Sequence, residues 1–130
     1  MLTDRQLLGL KGERIAARWL LARGWIILDQ RFRSGHRDLD IVATAHDPTT
    51  HNRLITFVEV RTRVSTTYGA PIESVGYRKQ RELIRSARDW IRKNKCSNDT
   101  YRFDVLGVLL AGQKVRIQHV PDAFRVGWFG

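Results

Sequence analysis

One strand-like segment carries two opposite charges on a face that is otherwise apolar. In Leu54–Thr62 (LITFVEVRT), strand alternation places Glu59 and Arg61 on one face, together with Ile55 and Phe57. Burying a charge without a partner is costly, so such side chains are normally paired, bound to a metal or placed at a cleft. Glu59 and Arg61 are therefore candidates for a functional site.

A second group of carboxylates precedes this segment. Within and beside Leu39–Thr44 (LDIVAT), the same alternation places Asp38, Asp40 and Val42 on one face and Leu39, Ile41 and Ala43 on the other. If the two segments form a hairpin, with strands about 4.8 Å apart, Asp40 and Glu59 meet on one face. Carboxylate oxygens are ligands for hard divalent cations, so the pair predicts an Mg²⁺ site, with Mn²⁺ as the common substitute.

The order Asp40, about twenty residues, then Glu59-Val60-Arg61 resembles the PD-(D/E)xK nuclease signature. Acidic-x-basic triplets are common in strands, and a surface ion pair between Glu59 and Arg61, or across to Asp40, explains the same residues. The pattern alone leaves both interpretations open.

Hydrophobic periodicity indicates the elements that would position these residues. A capping-box pattern at Thr3 and Gln6 opens a helix over Asp4–Arg23, and Gly24 ends it. A second helix with a basic outer face is predicted over Tyr77–Asn94. Strands are predicted by short apolar or alternating runs at Trp25–Asp29, Leu39–Thr44, Leu54–Thr62, Tyr101–Leu110 and Lys114–Val120. The basic segment RFRSGHR after the first strand is predicted to be a turn.

The order αβββαββ predicts an α/β fold with a mixed central sheet of about five strands flanked by helices. At 130 residues with 42% hydrophobic content, the chain has the size and composition of a single domain over 1–130. Its only cysteine, Cys96, cannot form an internal disulfide. Because no apolar run approaches about 20 residues and the first residues lack a signal pattern, we expect a cytoplasmic protein without a membrane partner.

Net charge points to the class of partner. Twenty-three Lys and Arg against thirteen Asp and Glu leave a formal charge of +10, and most of these cations are arginines. Arginine forms bidentate contacts with phosphate, so a nucleic acid is the expected partner. Plain solubility and an anionic membrane surface are the competing explanations, but the chain lacks a basic amphipathic helix free of core duty.

Four blocks of sequence, followed by a fifth, strengthen the likeness to nucleases. The chain resembles the YraN-type family of uncharacterised predicted endonucleases, which is related to archaeal Holliday junction resolvases. The resemblance covers most of residues 9–108 and lies in these blocks: Gly12-Glu13-Arg14-Ile15-Ala16-Ala17, Asp38-Leu39-Asp40-Ile41-Val42, Phe57-Val58-Glu59-Val60-Arg61-Thr62-Arg63, Arg78-Lys79-Gln80 and Arg102-Phe103-Asp104-Val105.

The resemblance implies a restriction-endonuclease-like three-layer fold and a Mg²⁺-dependent phosphodiesterase acting on DNA in preference to RNA, including branched DNA. It implies that Asp40 and Glu59 ligate the metal, with the Val60 carbonyl as a third ligand, and that Glu13 holds an acidic site position. By analogy with the resolvases it also implies a homodimer. The residue two before Asp40 departs from the usual Gly-Glu, because here Asp38 follows Arg37.

Arg61 is the second departure, because lysine is usual there. Guanidinium, with a pKa above about 12, cannot act as a base, but it can stabilise a charged phosphorane. The alternative function is therefore a non-catalytic nucleic-acid-binding protein that keeps the nuclease fold.

Several polar residues flank this predicted site. Gln80 faces inward beside the core, either as a site residue or as a buried structural amide, and Glu13 is either a site acid or a helix-surface glutamate. A set of basic residues, placed in turns or at the start of the second helix, is expected to contact phosphates without reading bases: Arg31, Arg33, Arg37, Arg63, Arg78, Lys79 and Arg81.

Overall fold

The computed structural model describes residues 1–46, 49, 52–64, 71–94 and 98–125, and for Arg37, Pro71 and Ile72 it describes the backbone alone. Cys96 lies outside the described residues. The elements follow the predicted order αβββαββ, with one short 3₁₀ helix at Pro71–Ser74. They are α1 (Asp4–Ala22), β1 (Ile26–Ser34), β2 (Arg37–His46), β3 (Arg53–Arg63), α2 (Tyr77–Asn94), β4 (Thr100–Ala111) and β5 (Lys114–Phe124).

The five strands form one mixed sheet in the order β1-β2-β3-β4-β5. The predicted hairpin of β2 and β3 is confirmed: the strands are antiparallel, and Ile41 lies opposite Val58. β3 and β4 are parallel, because α2 carries the chain back across the sheet between them. The remaining neighbours, β1 with β2 and β4 with β5, are antiparallel.

Both predicted ends of α1 are present. Thr3 N–H donates to Gln6 Oε1 at 2.8 Å and Gln6 N–H donates to Thr3 Oγ1 at 3.1 Å, which completes the capping box. At the other end Gly24 has φ +88°, and the N–H of Trp25 donates to the carbonyl of Leu20. This left-handed glycine satisfies the last carbonyls of the helix and ends it where the sequence predicted.

Each face of the sheet is covered by one helix, which gives three layers. The α1 face buries Ala16 and Leu20 of the helix against Ile41, Val58 and Leu106 of the sheet. The α2 face buries a larger aromatic cluster, which includes Leu39, Val42, Phe57, Trp90 and Phe103. Neither helix in the described ranges is long and apolar enough to cross a membrane.

The first hairpin differs from the prediction in where it turns. β1 runs to Ser34, and the turn is confined to Gly35 and His36, since Ser34 pairs with Arg37. Gly35 has φ +64°, which suits the first central position of a two-residue hairpin turn. The predicted turn RFRSGHR was therefore wrong in extent, and its arginines Arg31 and Arg33 lie within β1. The chain reverses direction over Gly35 and His36 alone, so the residues on either side of them join the β1–β2 hydrogen-bond ladder.

Strict alternation in β2 was also wrong. Leu39 belongs to the α2-side cluster with Val42, whereas Ile41 faces α1, so the alternation changes between Leu39 and Ile41. The neighbouring strand is irregular at the same level, since Arg31 has φ +55° between the pairs Gln30 with Ile41 and Phe32 with Leu39. Asp40 occupies the irregular position of β2.

Candidate functional site

Asp40 lies where β2 and β3 separate. The last paired residues of these strands are Ile41 and Val58. Asp40 and Glu59 are the next residues on the two strands and are no longer paired with each other through the backbone. Beyond that point the Asp40 carboxylate replaces a main-chain acceptor, because Val60 N–H donates to Asp40 Oδ2 at 2.8 Å. The hydrogen bond fixes one carboxylate oxygen beside the end of β3.

Glu59 is the most buried acid of this group. Its side chain is 5% exposed, and its Oε2 lies 3.2 Å from Arg61 Nη2 and 3.7 Å from Lys79 Nζ. Arg61 follows on the same strand, whereas Lys79 comes from the first turn of α2. Two cations from different elements thus converge on one buried carboxylate.

The charge state of Glu59 reflects crowding by another acid. Burial and the neighbouring Asp40 carboxylate raise the pKa of Glu59 to about 8, against the opposing charges of Lys79 and Arg61. Like-charged carboxylates in a low-dielectric site cannot easily both ionise, so the pair holds a proton that a cation could displace. An oxygen-only donor pair of this kind fits a hard divalent cation such as Mg²⁺.

Glu13 reaches the same region from α1. Its side chain is 16% exposed, and its Oε1 lies 3.8 Å from Arg31 Nε. Burial and the charge of Asp40 raise the pKa of Glu13 above its ordinary value, and Arg31 opposes the shift. Asp40 therefore influences both other acids, although they stand on different elements.

Gly12 allows α1 to approach β3 closely beside this site. A Cβ built at Gly12 would lie 1.8 Å from Oγ1 of Thr62, whereas one built at Gly9 meets nothing within 4 Å. We expect Gly12→Ala to push α1 off the sheet and to lower the free energy of unfolding by about 1–3 kcal/mol. The matched Gly9→Ala should raise it by up to about 1 kcal/mol, because alanine is the better helix former. Urea unfolding measures both, and equal effects would refute the close contact.

Within the described parts of the chain, no group of three or more His, Cys, Asp or Glu side chains is placed to hold a metal by itself. Mg²⁺ seldom requires such a cage, since it keeps several waters and uses one or two carboxylates with substrate phosphates. Asp40 and Glu59 match that requirement. The third expected ligand is the carbonyl oxygen of Val60. In the structure the N–H of Val60 donates to Asp40, and metal binding by its carbonyl stays a prediction.

A cavity of about 520 Å³ opens between α1 and the end of β3. Glu13, Asp40, Val60 and Arg61 are among the residues that line it. Arg61 is 24% exposed, and its buried Nε has no hydrogen-bond partner in the described structure. A buried donor without an acceptor is costly, so this nitrogen is placed to receive an anionic oxygen.

Other predicted site residues lie in different surroundings. The Gln80 side chain donates to the carbonyl of Val75 at 3.0 Å, which engages its amide in the turn before α2. Arg33 is exposed and lies 4.0 Å from Asp38. Arg78 and Arg81 are exposed in the first turns of α2, and the side chain of Arg37 lies outside the description.

Sequence reasoning missed two features of this region. It assigned Lys79 to phosphate contacts, whereas its amine lies against Glu59, and only the packing of α2 on the sheet reveals this. It also left three arginines of α1 that line cavities beside Glu13 out of the predicted phosphate contacts, namely Arg5, Arg14 and Arg18. The spacing of Arg14 and Arg18, one helical turn apart and directly after Glu13, was the available signal.

Comparison with known proteins identifies close relatives of the whole chain. A UPF0102 protein of Syntrophotalea carbinolica is 40% identical over 98% of this chain and 100% of its own length. Those of Trichlorobacter lovleyi and Myxococcus xanthus are 41% and 35% identical, each over 95% of this chain and 94% of the relative.

The similarity to a solved structure is slight. Pyrococcus furiosus SfsA in complex with Ca²⁺ gives a TM-score of 0.33 and 13% identity over 95% of this chain and 66% of that chain, too little to support an inference. A sequence profile of a protein family gives a clearer result. The profile named "Uncharacterised protein family UPF0102" matches residues 12–108 of this chain. The chain belongs to the uncharacterised protein family UPF0102, which confirms the YraN-type resemblance of its sequence.

Proposed function

We propose that this protein is a Mg²⁺-dependent endonuclease that hydrolyses phosphodiester bonds in DNA, including branched DNA. The supporting observation is the convergence of Asp40 and Glu59 where β2 and β3 separate, with Arg61 beside them. The element order and the PD-(D/E)xK-like spacing agree with the proposal. Bound between the two carboxylates, Mg²⁺ would polarise the scissile phosphate and activate a water molecule for attack.

The protein's own residues have distinct roles in this proposal. Asp40 and Glu59 hold the cation, and the hydrogen bond from Val60 N–H orients the Asp40 carboxylate. Glu13 approaches from α1 and completes the acidic wall of the cavity. Arg61 stabilises the charge that develops on the phosphate through its unpartnered Nε. Lys79 holds Glu59 in place, as its amine lies 3.7 Å from the carboxylate.

Basic residues around this site would hold the DNA backbone. They are the predicted set without Lys79, namely Arg31, Arg33, Arg37, Arg63, Arg78 and Arg81, to which the formal charge of +10 adds long-range attraction. Within this set Arg31 and Arg63 line cavities next to Glu13. Contacts of this kind position the substrate and carry no sequence specificity.

A cleavage assay tests the proposal directly. Purified protein is incubated with labelled linear DNA and a four-way junction, with Mg²⁺, with Mn²⁺ or with EDTA. We expect cleavage with either metal and none with EDTA. Binding of the DNA without cleavage under all conditions would overturn the endonuclease proposal.

The second candidate is a non-catalytic nucleic-acid-binding protein. Arg61 favours it, because arginine stands where the nuclease motif usually has lysine and already contacts Glu59 at 3.2 Å. A guanidinium cannot accept a proton from water at neutral pH. A protein of this kind would bind DNA with the salt dependence expected of the endonuclease, but it would never cleave the DNA.

Substitution of Arg61 separates charge stabilisation from base catalysis. We expect Arg61→Ala to lower the cleavage rate by about 10²–10³-fold, the usual effect of removing a donor aimed at developing charge. Arg61→Lys keeps a positive charge and should remain within about tenfold of the unsubstituted protein. Single-turnover rates with saturating protein measure both. Cleavage by Arg61→Ala at the original rate would exclude Arg61 from the site.

A further inference from the structure

Two cavities on the α1 side of the sheet meet at Glu13. The first, about 520 Å³, lies between α1 and the end of β3, and Arg5 and Arg63 line it. The second, about 300 Å³, lies between α1 and β1, and Arg14, Arg18 and Arg31 line it. Glu13 belongs to both linings, and Asp40, one of the two proposed cation ligands, lines the first cleft.

The arginines that α1 contributes to these clefts are exposed, and each of them lines a concave surface. Arg5, Arg14 and Arg18 are exposed and form no ion pair with the residues that the structure describes. Some other exposed arginines have acidic partners, as Arg92 has in Asp89. Others, such as Arg116, also lack an acidic partner among the described residues, but they line neither cleft. Cations that are left unpaired in concave clefts are available to an anionic ligand.

The dimensions of α1 indicate what kind of anion would use all three arginines. Thirteen residues separate Arg5 from Arg18, which corresponds to about 20 Å along a helix that rises 1.5 Å per residue. A nucleic-acid strand advances about 3.4 Å per nucleotide in B form, so about six phosphates span the same length. A single phosphate could not contact Arg5 and Arg18 at the same time.

We propose that a nucleic-acid strand lies along α1 and crosses Glu13, with Arg5 holding its backbone on one side and Arg14 and Arg18 on the other. The identity of the polyanion rests on the proposed function, while the path rests on the two clefts. A flat membrane surface fits less well, because these cations line concave clefts. The path places the phosphate at its centre beside the candidate cation site.

Metal-free binding tests the path separately from cleavage. A fluorescent DNA strand of about 20 nucleotides, longer than the path, is titrated with protein in EDTA, and its anisotropy is followed at several salt concentrations. Each phosphate contact contributes about 0.7–0.9 to the salt exponent, or roughly fivefold in affinity at 0.1 M salt. We expect Arg14→Ala and Arg18→Ala each to weaken binding about fivefold and to lower the salt slope by about 1.

Arg116→Ala is the matched control, because it removes the same charge from an exposed position on the edge strand β5, away from both clefts. It should weaken binding less than about twofold, as only the long-range field changes. Alanine is a strong helix former, so the α1 variants should fold, and circular dichroism verifies this.

The outcomes distinguish the path from the enzyme. If Arg14→Ala and Arg18→Ala bind as Arg116→Ala does, the strand takes another path and the inference is wrong. If the expected losses appear but Mg²⁺ and Mn²⁺ never support cleavage, the path stands and the endonuclease proposal fails. If the folded, unsubstituted protein does not bind DNA at any salt concentration, the path is overturned.

Discussion

Asp40→Asn is expected to lower the rate of DNA cleavage by about 10³-fold or more. The amide keeps an oxygen that can accept the hydrogen bond from Val60 N–H, so the end of β3 should hold its geometry. What disappears is the negative charge that the cation requires. A bound metal supplies several kcal/mol of transition-state stabilisation, and each 1.36 kcal/mol corresponds to about a tenfold change in rate. Single-turnover cleavage of linear and branched DNA with Mg²⁺ measures the effect.

Asp38→Asn is the matched control, because Asp38 lies two residues away and is 4.0 Å from the exposed Arg33. It should alter cleavage by no more than a few-fold. Asp40→Asn should still bind DNA in EDTA, since the substitution removes a negative charge and no cation. Similar losses in both variants would mean that the irregular end of β2, and not metal ligation by Asp40, limits the rate.

Glu59→Gln should produce a loss as large as that of Asp40→Asn, and the double substitution should be little worse than either single one. Residues that act as a unit give strongly non-additive effects, and two ligands of one cation are such a unit. Additive losses would indicate that the two carboxylates act independently. Glu59 suits this comparison of single and double substitutions, because its side chain is only 5% exposed and solvent cannot easily take its place.

Periodicity was sufficient for the order of the elements and for the layers. Helices α1 and α2 each have an apolar stripe, and each stripe packs on one face of the sheet. The alternating run of β3 is typical of a strand, and β3 lies in the sheet between β2 and β4. The length of β1 was not predictable in the same way. RFRS carries polar residues because it lies on an edge strand, where one side of the ladder faces solvent, and such a segment looks like a loop in the sequence.

The sequence predicted only the part of the candidate site that the pairing of β2 with β3 brings together. Asp40 and Glu59 could be placed together because a hairpin aligns them, and the register that ends at Ile41 and Val58 agrees. The change of alternation at Asp40 lies opposite a positive φ at Arg31, and no pattern of side chains in the sequence predicted either feature. The approach of Lys79 to Glu59 is a tertiary contact across twenty residues of sequence, set by how α2 packs.

Asp104 is a fully buried carboxylate away from the candidate site. It accepts hydrogen bonds from Arg102 Nε at 2.8 Å and from the backbone N–H of Asp122 at 3.0 Å, and it lies 2.8 Å from His119 Nε2. The strands β4 and β5 are irregular here, since one residue of β4 stands opposite three of β5, Pro121–Ala123. β5 thus continues past Pro121, where the sequence predicted its end at Val120, because Asp104 organises the bulge.

Asp104→Asn is expected to lower the free energy of unfolding by about 3 kcal/mol. The substitution breaks a buried ionic network and leaves the donors of Arg102 and Asp122 without their full complement of acceptor oxygens. With a urea m-value of about 2 kcal/mol/M, the midpoint should fall by about 1.5 M. Asp122→Asn is the control, because the Asp122 side chain pairs with the exposed Arg125, and a surface pair contributes less than about 1 kcal/mol.

The effect of Asp104 should also depend on pH, in a direction that its surroundings determine. Burial alone would raise the pKa of Asp104, but hydrogen bonds from His119, Arg102 and the Asp122 backbone outweigh it and hold the pKa below its ordinary value. A carboxylate with a depressed folded-state pKa stabilises the fold above its unfolded-state pKa, about 3.9. That contribution is lost as the pH falls through the folded-state value. The difference in unfolding free energy between the unsubstituted protein and Asp104→Asn should therefore shrink as the pH falls below about 4. A difference that persists unchanged at pH 3 would mean that Asp104 acts through its shape and not through its charge.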